Sequence, residues 1–546
     1  MRIRRMWRRG TLGEGVAVRT EIQTMGSGRL LVLLFGAFFA SVQATPVSSK
    51  PNIVFVHVDS MDGRTALPES PALTPNIDRL ASRGVRFDVT YCAAPECVPS
   101  RSAIWSGRRP DQTGVWSNGH GLPPDYPIIM EQVANNGYDT NFIGRHDFYS
   151  GHHSLSANLS SWTRAVPKFA IPSEGRPKAE IKDSETIRVH SGDWYNSDKC
   201  VKWLEDRLNS SAANTPFMLS CGFSCPHPSY VTSKYWYEKG VNHDAITMPV
   251  WSSEDKMHPV QQYETITKNC SGNWSDDGVQ AIRATYYAMV AEADAFVGQI
   301  FSYIENSSYI NNTVVVFWSD HGDMTMDHKQ FYKETTLEGS ARVPLIIAGP
   351  SHMIRQGATL KRPTSLIDLF PTVMDLTGTP YPSGLAGWSL ATDLGLVQNS
   401  EQSIPPPPHP DWVLCQAHMD HSNTGQFMIR QGDWKYIYYA GGYQAELFNL
   451  ADDPGELKNL AESNVEMVQQ LHDILKSELD PEEVDKAAKK FDKDSFTTWK
   501  NSLGDKYNST IGSRAIRWYP AWNKNAEYYL SLIEDWLKEP DEMNSN

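Results

Sequence analysis

The chain has 546 residues, of which 40% are hydrophobic and 21% are charged, the composition of an ordinary globular protein. This length is too great for one small core. The formal net charge of −14 argues against nucleic acid as a partner, so an anionic ligand would need a local cluster of cations.

The N-terminal region carries targeting signals. Several arginines precede an apolar run over residues 30–40, and small residues follow it up to Ala44. The run is too short to span a bilayer comfortably, so residues 1–44 are predicted to be a secretory signal peptide with a preceding extension, and Met25 is an alternative start. Since the chain has no other long apolar run, we expect no stable membrane insertion.

Glycosylation sequons and cysteines also point to the secretory route. Asn-x-Ser/Thr sequons occur at Asn158, Asn209, Asn269, Asn273, Asn306, Asn311 and Asn508, which predicts a glycoprotein. The cysteines are Cys92, Cys97, Cys200, Cys221, Cys225, Cys270 and Cys415. Because 7 is an odd number, at least one cysteine stays unpaired in an oxidising compartment.

Strand and helix patterns alternate through the first two thirds of the chain. Short apolar runs predict strands at residues 52–58, 137–143, 217–223, 313–319 and 344–348, and helical spacing predicts helices at 74–83, 279–305 and 365–376. Thr74 and Pro75 are suited to the N-cap and first position of a helix. This alternation predicts an α/β fold with a doubly wound sheet.

The predicted domain boundaries follow from composition. Residues 45–385 are predicted to form the main α/β domain, and residues 386–411 a linker that includes four consecutive prolines. Residues 412–546 are predicted to form a smaller α+β subdomain. Its antiparallel strands are expected at 412–415 and 427–439, and its helices at 465–479 and 526–538.

Cys97, Asp59 and Asp320 occupy positions where catalytic or metal-binding side chains are common. Cys97 precedes Pro99 at the predicted start of a helix, where negative charge is stabilised, although most lone cysteines are buried or disulfide-bonded. Asp59 and Asp320 each follow a predicted strand, so both can reach one point above the sheet. Oxygen ligands of this kind favour Ca²⁺ or Mg²⁺.

The run from Cys97 to Arg101, C-x-P-S-R followed by Gly107, resembles the signature of the formylglycine-dependent sulfatases. The elements Gly137–Arg145, Ser319–Gly322 and Ser340–Pro344 resemble further motifs of that family. This resemblance implies a sulfuric ester hydrolase with an alkaline-phosphatase-like fold and a catalytic domain over 45–385. It also implies that a formylglycine-generating enzyme converts Cys97 to formylglycine (3-oxoalanine), whose hydrate is the nucleophile.

The resemblance also implies a role for individual residues. Asp59, Asp320, His321 and residue 97 would hold one divalent cation, Ca²⁺. Arg101 would orient the nucleophile, His227 would protonate the leaving oxygen, and Lys333 and Arg145 would bind the sulfate.

The chain departs from the family pattern at three positions. Ser60 follows Asp59 where many sulfatases have a second aspartate, so either Asp62 substitutes or the site has one carboxylate fewer. Arg145 replaces the usual lysine, and Asp147 replaces the usual histidine. The base that removes the second hydroxyl proton stays open among His146, His152 and His153.

Segments Ser150–Ser154, Lys256–Val260 and Trp434–Ile437 resemble one branch of the family. That branch removes 2-O-sulfate from non-reducing-end glucuronate of glycosaminoglycans in the lysosome, which implies the same substrate here and substrate contacts by His258 and His153. A secreted form is the alternative location. Three other functions stay open: a sulfatase for another sulfated uronate such as iduronate, a phosphodiesterase or phosphonate hydrolase of the same superfamily, and a non-enzymatic glycan-binding glycoprotein.

Overall fold

The computed structural model describes residues 50–150, 153–251, 253–396 and 409–540. The predicted signal peptide with its extension, the four consecutive prolines of the linker and His152 lie outside the described residues. The predicted boundaries at 385 and 411 stay predictions.

The described strands are β1 (Asn52–Asp59), β2 (Gly84–Phe87), β3 (Thr90–Tyr91), β4 (Asp139–Gly144), β5 (Glu180–Lys182), β6 (Phe217–Pro226), β7 (Val231–Ser233), β8 (Thr313–Ser319), β9 (Arg342–Val343), β10 (Leu345–Ala348), β11 (Ala358–Leu360), β12 (Thr364–Ser365), β13 (Trp412–Ala417), β14 (Gln426–Gln431), β15 (Trp434–Tyr439) and β16 (Glu446–Asn449). The described α-helices are α1 (Pro75–Ser82), α2 (Cys97–Ser106), α3 (Pro110–Thr113), α4 (Ile129–Asn135), α5 (Leu155–Trp162), α6 (Ser191–Leu208), α7 (Lys234–Lys239), α8 (Pro259–Thr267), α9 (Asp276–Glu305), α10 (Glu338–Ala341), α11 (Leu369–Thr377), α12 (Ala391–Leu394), α13 (Val465–Glu478), α14 (Pro481–Leu503), α15 (Tyr507–Ile511), α16 (Tyr519–Trp522) and α17 (Ala526–Lys538).

The central sheet of the described chain has the order β11-β2-β10-β8-β1-β6-β4. The pairs of β1 with β6 and β8, β4 with β6, and β2 with β11 are parallel, whereas β10 runs antiparallel to both β8 and β2. Because β1 and β8 are adjacent and parallel, their carboxyl ends meet at one edge, where Asp59 and Asp320 lie. The α/β prediction is therefore confirmed.

Side chains alternate between two apolar cores on the two faces of the sheet. On β1, Ile53 and Phe55 belong to one core, and Val54 and Val56 belong to the other. Helices α2, α4 and α11 pack into the first core, and α1, α6 and α9 pack into the second. The strands are therefore buried on both faces, which explains their nearly continuous apolar sequences.

The C-terminal sheet has the antiparallel order β13-β14-β15-β16, as the predicted strands at 412–415 and 427–439 suggested. Val413, Met428 and Ile437 face the first core of the main sheet. The opposite face, which includes Phe427, packs with Leu471 of α13. The C-terminal sheet, residues 412–449, therefore packs against the main sheet through the first core.

Several local expectations need correction. Thr74 occupies the N-cap of α1, but its side chain makes no capping hydrogen bond. The segment predicted as one helix at 365–376 begins with a 3-10 turn over Leu366–Asp368 before α11. Helices α6 and α14 are absent from the predicted elements, because their many charged residues dilute the apolar period.

A disulfide joins Cys200 of α6 to Cys221 of β6, and the other cysteines are free and buried. Within the described ranges, none of the helices combines the length and apolar character that a membrane crossing needs.

Candidate active site

The signature segment forms the first turns of α2. The helix starts at Cys97 and ends at Gly107, which has a φ of 66°. A Cβ at this glycine would lie 2.6 Å from Leu385 and 2.9 Å from Phe370, so both conformation and space require glycine. Ser100 Oγ donates to the Asp320 carbonyl at 2.5 Å, which fixes the start of α2 against the end of β8.

Four buried side chains converge at this point. Asp59, Cys97, Asp320 and His321 each offer one ligand atom, and these atoms lie within 4.8 Å of one another. His321 Nδ1 donates to the Gly322 carbonyl at 3.0 Å, which leaves Nε2 facing Cys97 Sγ at 3.3 Å. Two carboxylates and one imidazole at a buried point form a donor set that fits a hard divalent cation. These are the residues that the sequence predicted for the metal.

Arg101 is the cation that lies against both carboxylates. Its Nη2 is 2.8 Å from Asp59 and 2.9 Å from Asp320, and all three side chains are fully buried. Burial opposes the ionisation of Asp59, but Arg145 and Arg101 hold its pKa well below the usual range. Burial raises the pKa of Asp320, and Arg101 offsets only part of this effect.

Arg145, which directly follows β4, reaches one of these carboxylates, Asp59. Its Nη1 lies 3.0 Å from Asp59, and its Nε hydrogen-bonds to Asp147. Asp147 also contacts Arg101 at 3.3 Å. Asp147 therefore orients both arginines. The sequence marked this residue only as a departure from the family pattern, and its position between two arginines was not predictable from spacing.

His227 and Lys333 form a pair beside residue 97. His227 Nδ1 contacts the Pro228 carbonyl at 2.6 Å, and since a carbonyl only accepts, Nδ1 carries the proton. His227 Nε2 accepts from Lys333 Nζ at 2.8 Å. Burial disfavours the Cys97 thiolate, but the positive charges of Lys333 and then His321 are among the effects that lower the pKa of this thiol well below its usual value.

His153 and His258, the two histidines predicted to contact the substrate, have different surroundings. His153 has a buried Nε2 without a hydrogen-bond partner. Burial lowers the pKa of His153, while the charge of Cys97 acts in the opposite direction. His258 instead bonds to the Gln444 carbonyl at 2.9 Å and stacks on Tyr439, and both of these partners lie outside the four-residue cluster.

The structure also shows the contacts of Asp62 and His146, two residues whose roles the sequence left open. Asp62 is not a member of the four-residue cluster, because its carboxylate makes a bidentate pair with Arg64 at 2.6–3.1 Å. His146 uses Nδ1 on the Gly144 carbonyl at 3.0 Å and Nε2 on Ser220 at 3.1 Å. Both nitrogens of His146 are therefore engaged.

Comparisons with known proteins agree with this geometry. Residues 51–379 match the Sulfatase family, and residues 326–485 match the C-terminal region of N-sulphoglucosamine sulphohydrolase. Arylsulfatase K of Danio rerio is 38% identical over 506 residues, which cover 89% of this chain and 94% of that relative.

Solved structures share the fold. The phosphonate monoester hydrolase of Agrobacterium radiobacter has a TM-score of 0.63 at 23% identity, over 78% of this chain and 95% of its own. A 2-O GAG sulfatase has a TM-score of 0.58 at 24% identity, over 78% of this chain and 91% of its own. With the family match over most of the described α/β region, the chain belongs to the sulfatase family and is a sulfuric ester hydrolase.

Proposed function

We propose that this sulfatase removes the 2-O-sulfate of non-reducing-end glucuronate in glycosaminoglycans, with Cys97 converted to formylglycine. The observation that carries the proposal is the position of Cys97 between a buried carboxylate–imidazole cluster and the His227–Lys333 pair. Once formed, formylglycine supplies a hydrated aldehyde as the nucleophile. Asp59, Asp320 and His321 would hold a divalent cation, Ca²⁺, beside residue 97, and its charge would stabilise the sulfate oxygens.

Side chains of the protein bind the sulfate, transfer the proton and position the carboxylates. Lys333 and Arg145 bind sulfate oxygens, and the arginine suits this task because its planar fork donates two hydrogen bonds at once. His227 Nε2, which accepts a hydrogen bond from Lys333 Nζ, relays a proton from that ammonium group to the leaving sugar oxygen, while Nδ1 keeps its own proton, which it donates to the Pro228 carbonyl. Arg101 holds Asp59 and Asp320 in place, and its full burial excludes water from that side of the cluster.

The substrate assignment rests on motifs outside this core. Segments 150–154 and 256–260 resemble the branch that acts on 2-O-sulfated glucuronate, and a 2-O GAG sulfatase shares the fold. His153, whose buried Nε2 has no hydrogen-bond partner among the described residues, is proposed to contact the reacting sugar. His258 is proposed to contact the substrate farther from the sulfate.

We also propose the cellular location of the protein and its partner during synthesis. The predicted signal peptide and the sequons support the secretory pathway, with the lysosome as destination and a secreted form as the alternative. A formylglycine-generating enzyme is the proposed partner during synthesis. The conversion of Cys97 to formylglycine would distinguish this protein from a glycan-binding protein without catalytic activity.

Two measurements test the proposal. Mass spectrometry of the peptide that carries residue 97, from protein made in secretory cells, should show an aldehyde in place of the thiol. The purified protein should release sulfate from 2-O-sulfated glucuronate faster than from 2-O-sulfated iduronate, and should leave matched phosphate esters intact. An unmodified thiol would refute the nucleophile, and preference for iduronate or for a phosphate ester would refute the substrate.

A further inference from the structure

The segment that carries Lys333 has an unfavourable backbone conformation. Lys333 lies between Tyr332, with a φ of 64°, and Glu334, with a φ of 63°. Four nearby residues also have positive φ values of 45–75°: Thr325, Met326, His328 and Lys329. Residues with a Cβ rarely adopt this conformation and keep it only where the surrounding structure holds them. Such strain at a functional side chain calls for a specific restraint.

Lys268, at the end of α8, makes the contacts that supply this restraint. Its side chain is fully buried, and its Nζ donates to the backbone carbonyl of Lys333. The same Nζ donates to Gln330 Oε1 at 2.9 Å and lies 3.6 Å from Glu334. One ammonium group thus contacts the strained segment at three points on both sides of the Lys333 side chain.

The restraint continues into α8 and toward the nucleophile. Gln330 Nε2 donates to Glu264 Oε2 at 3.0 Å, and Glu264 lies one helical turn before Lys268. The backbone N–H of Glu334 donates to the Pro95 carbonyl at 3.1 Å, two residues before Cys97. The position of Lys333 is therefore coupled both to a rigid helix and to the start of α2.

We propose that Lys268 is a positioning residue for sulfate ester hydrolysis, because it holds the Lys333 backbone so that Lys333 Nζ meets His227 Nε2 at 2.8 Å. The inference rests on the proposed roles of Lys333 and His227. A lysine is seldom fully buried, and here its charge is directed at a backbone carbonyl of the segment it restrains. Lys268 does not touch the reacting atoms in this arrangement and acts through Lys333.

The test compares Lys268→Met with the unaltered full-length protein on two aryl sulfates, 4-nitrophenyl sulfate and phenyl sulfate. We expect kcat/KM to fall about 100-fold, as for a displaced catalytic group. The loss should be larger for phenyl sulfate, because its poorer leaving group depends more on the proton from the His227–Lys333 pair. These substrates make the outcome independent of which sugar is the natural substrate.

A double-mutant cycle with Lys333→Ala separates positioning from general damage. If Lys268 acts through Lys333, Lys268→Met should cost almost nothing further in the Lys333→Ala protein. The proposal would be overturned if Lys268→Met lowered kcat/KM equally in the unaltered protein and in the Lys333→Ala protein. It would also be overturned if the fall in kcat/KM were equal for phenyl sulfate and 4-nitrophenyl sulfate. Gln330→Met provides a second variant if Lys268→Met does not fold, and it should show the same leaving-group dependence with a smaller loss.

Lys435→Met is the matched control. Lys435 is also fully buried, and it pairs with Glu338 at 3.0 Å and Glu456 at 2.7 Å. This variant should lose thermal stability while its folded fraction keeps the kcat/KM of the unaltered protein for both substrates. An activity loss in Lys435→Met equal to that in Lys268→Met would show that removing any buried lysine has the same effect, and would also overturn the proposal.

Discussion

The cluster at residue 97 and the ion pairs around Lys435 are both buried groups of charge, but they are organised differently. Lys435 lies between two glutamates, and Tyr91 donates to Glu338 at 2.7 Å, so opposite charges alternate. At residue 97, the Asp59 and Asp320 carboxylates converge on one point and share Arg101. Burial of charge is common to both regions. The thiol of Cys97 and the imidazole of His321, which converge with the two carboxylates, distinguish the region that is proposed to bind a cation and do chemistry.

This difference predicts which property each region controls. Removing one partner from a closed buried pair leaves an uncompensated charge and typically costs 3–5 kcal/mol of stability, about what we expect for Lys435→Met. Removing a group from the convergent cluster should instead cost activity, because its atoms are directed at substrate or cation. The following variants test this contrast.

Cys97→Ser should have the largest effect on activity. A serine can attack the sulfate but lacks the second hydroxyl that releases it, so multiple turnover should fall by about 10⁴-fold or more. Intact-protein mass spectrometry after incubation with substrate should find a sulfate ester on residue 97. Cys92→Ala, at a buried cysteine outside the cluster, should keep its activity. Sustained turnover by Cys97→Ser would contradict the mechanism.

His227→Gln should come next. Loss of the proton donor should lower kcat about 10²–10⁴-fold, more for a sugar sulfate than for 4-nitrophenyl sulfate. His146→Gln is the matched control, since both nitrogens of His146 are engaged by Gly144 and Ser220. Steady-state kinetics on both substrates would check this. A larger loss in the His146 variant would place the proton transfer there instead.

Cation binding should stabilise the folded protein. At a Ca²⁺ concentration of about 100 times its Kd, the free energy of unfolding should rise by about 2.7 kcal/mol, and chelation should reverse this gain. Asp320→Asn should abolish the response to Ca²⁺ in thermal unfolding. Asp294→Asn, at a buried carboxylate that caps α1, should retain it. An unchanged response in Asp320→Asn would remove Asp320 from the metal site.

The contribution of Asp420 to stability should increase as the pH falls below about 8. Burial, together with Glu334 and Glu174, raises the pKa of Asp420 from 3.8 to about 8. Between these values the unfolded chain has released this proton and the folded protein retains it. Rising pH should therefore lower the free energy of unfolding by up to about 1.4 kcal/mol per pH unit. Asp420→Asn should flatten the dependence measured by urea unfolding, and an unchanged slope would assign it to other groups.

His258→Ala should have the smallest effect. His258 Nδ1 accepts from the Val260 N–H at 3.3 Å as the N-cap of α8, so its loss should cost about 1 kcal/mol of stability. If His258 contacts the sugar as proposed, KM should rise for a disaccharide sulfate and stay constant for 4-nitrophenyl sulfate. An unchanged KM for both would limit His258 to capping the helix.

Much of the site could be predicted from the chain because its motifs follow strands. Asp59 and Asp320 end apolar runs that form adjacent parallel strands, and Cys97 begins a helix that packs on the same edge. The Asp147 contacts and the Lys268 restraint could not be predicted in this way. The contact of Asp147 with Arg101 and that of Lys268 with the Lys333 backbone join residues that lie far apart in the chain, so spacing does not reveal them.

The sequence by itself determined the α/β character, because apolar periodicity encodes it, and its motifs, through the family resemblance, predicted the nucleophile and the ligands of the cation site. Only the tertiary structure decided that Asp62 lies outside the four-residue cluster, that His146 contacts Ser220, and that Lys268 meets the Lys333 backbone. Partner choice for a charged side chain depends on which oppositely charged or polar atoms the fold brings within about 3 Å. Distances of that kind between remote residues are set by packing, and spacing along the chain does not contain them.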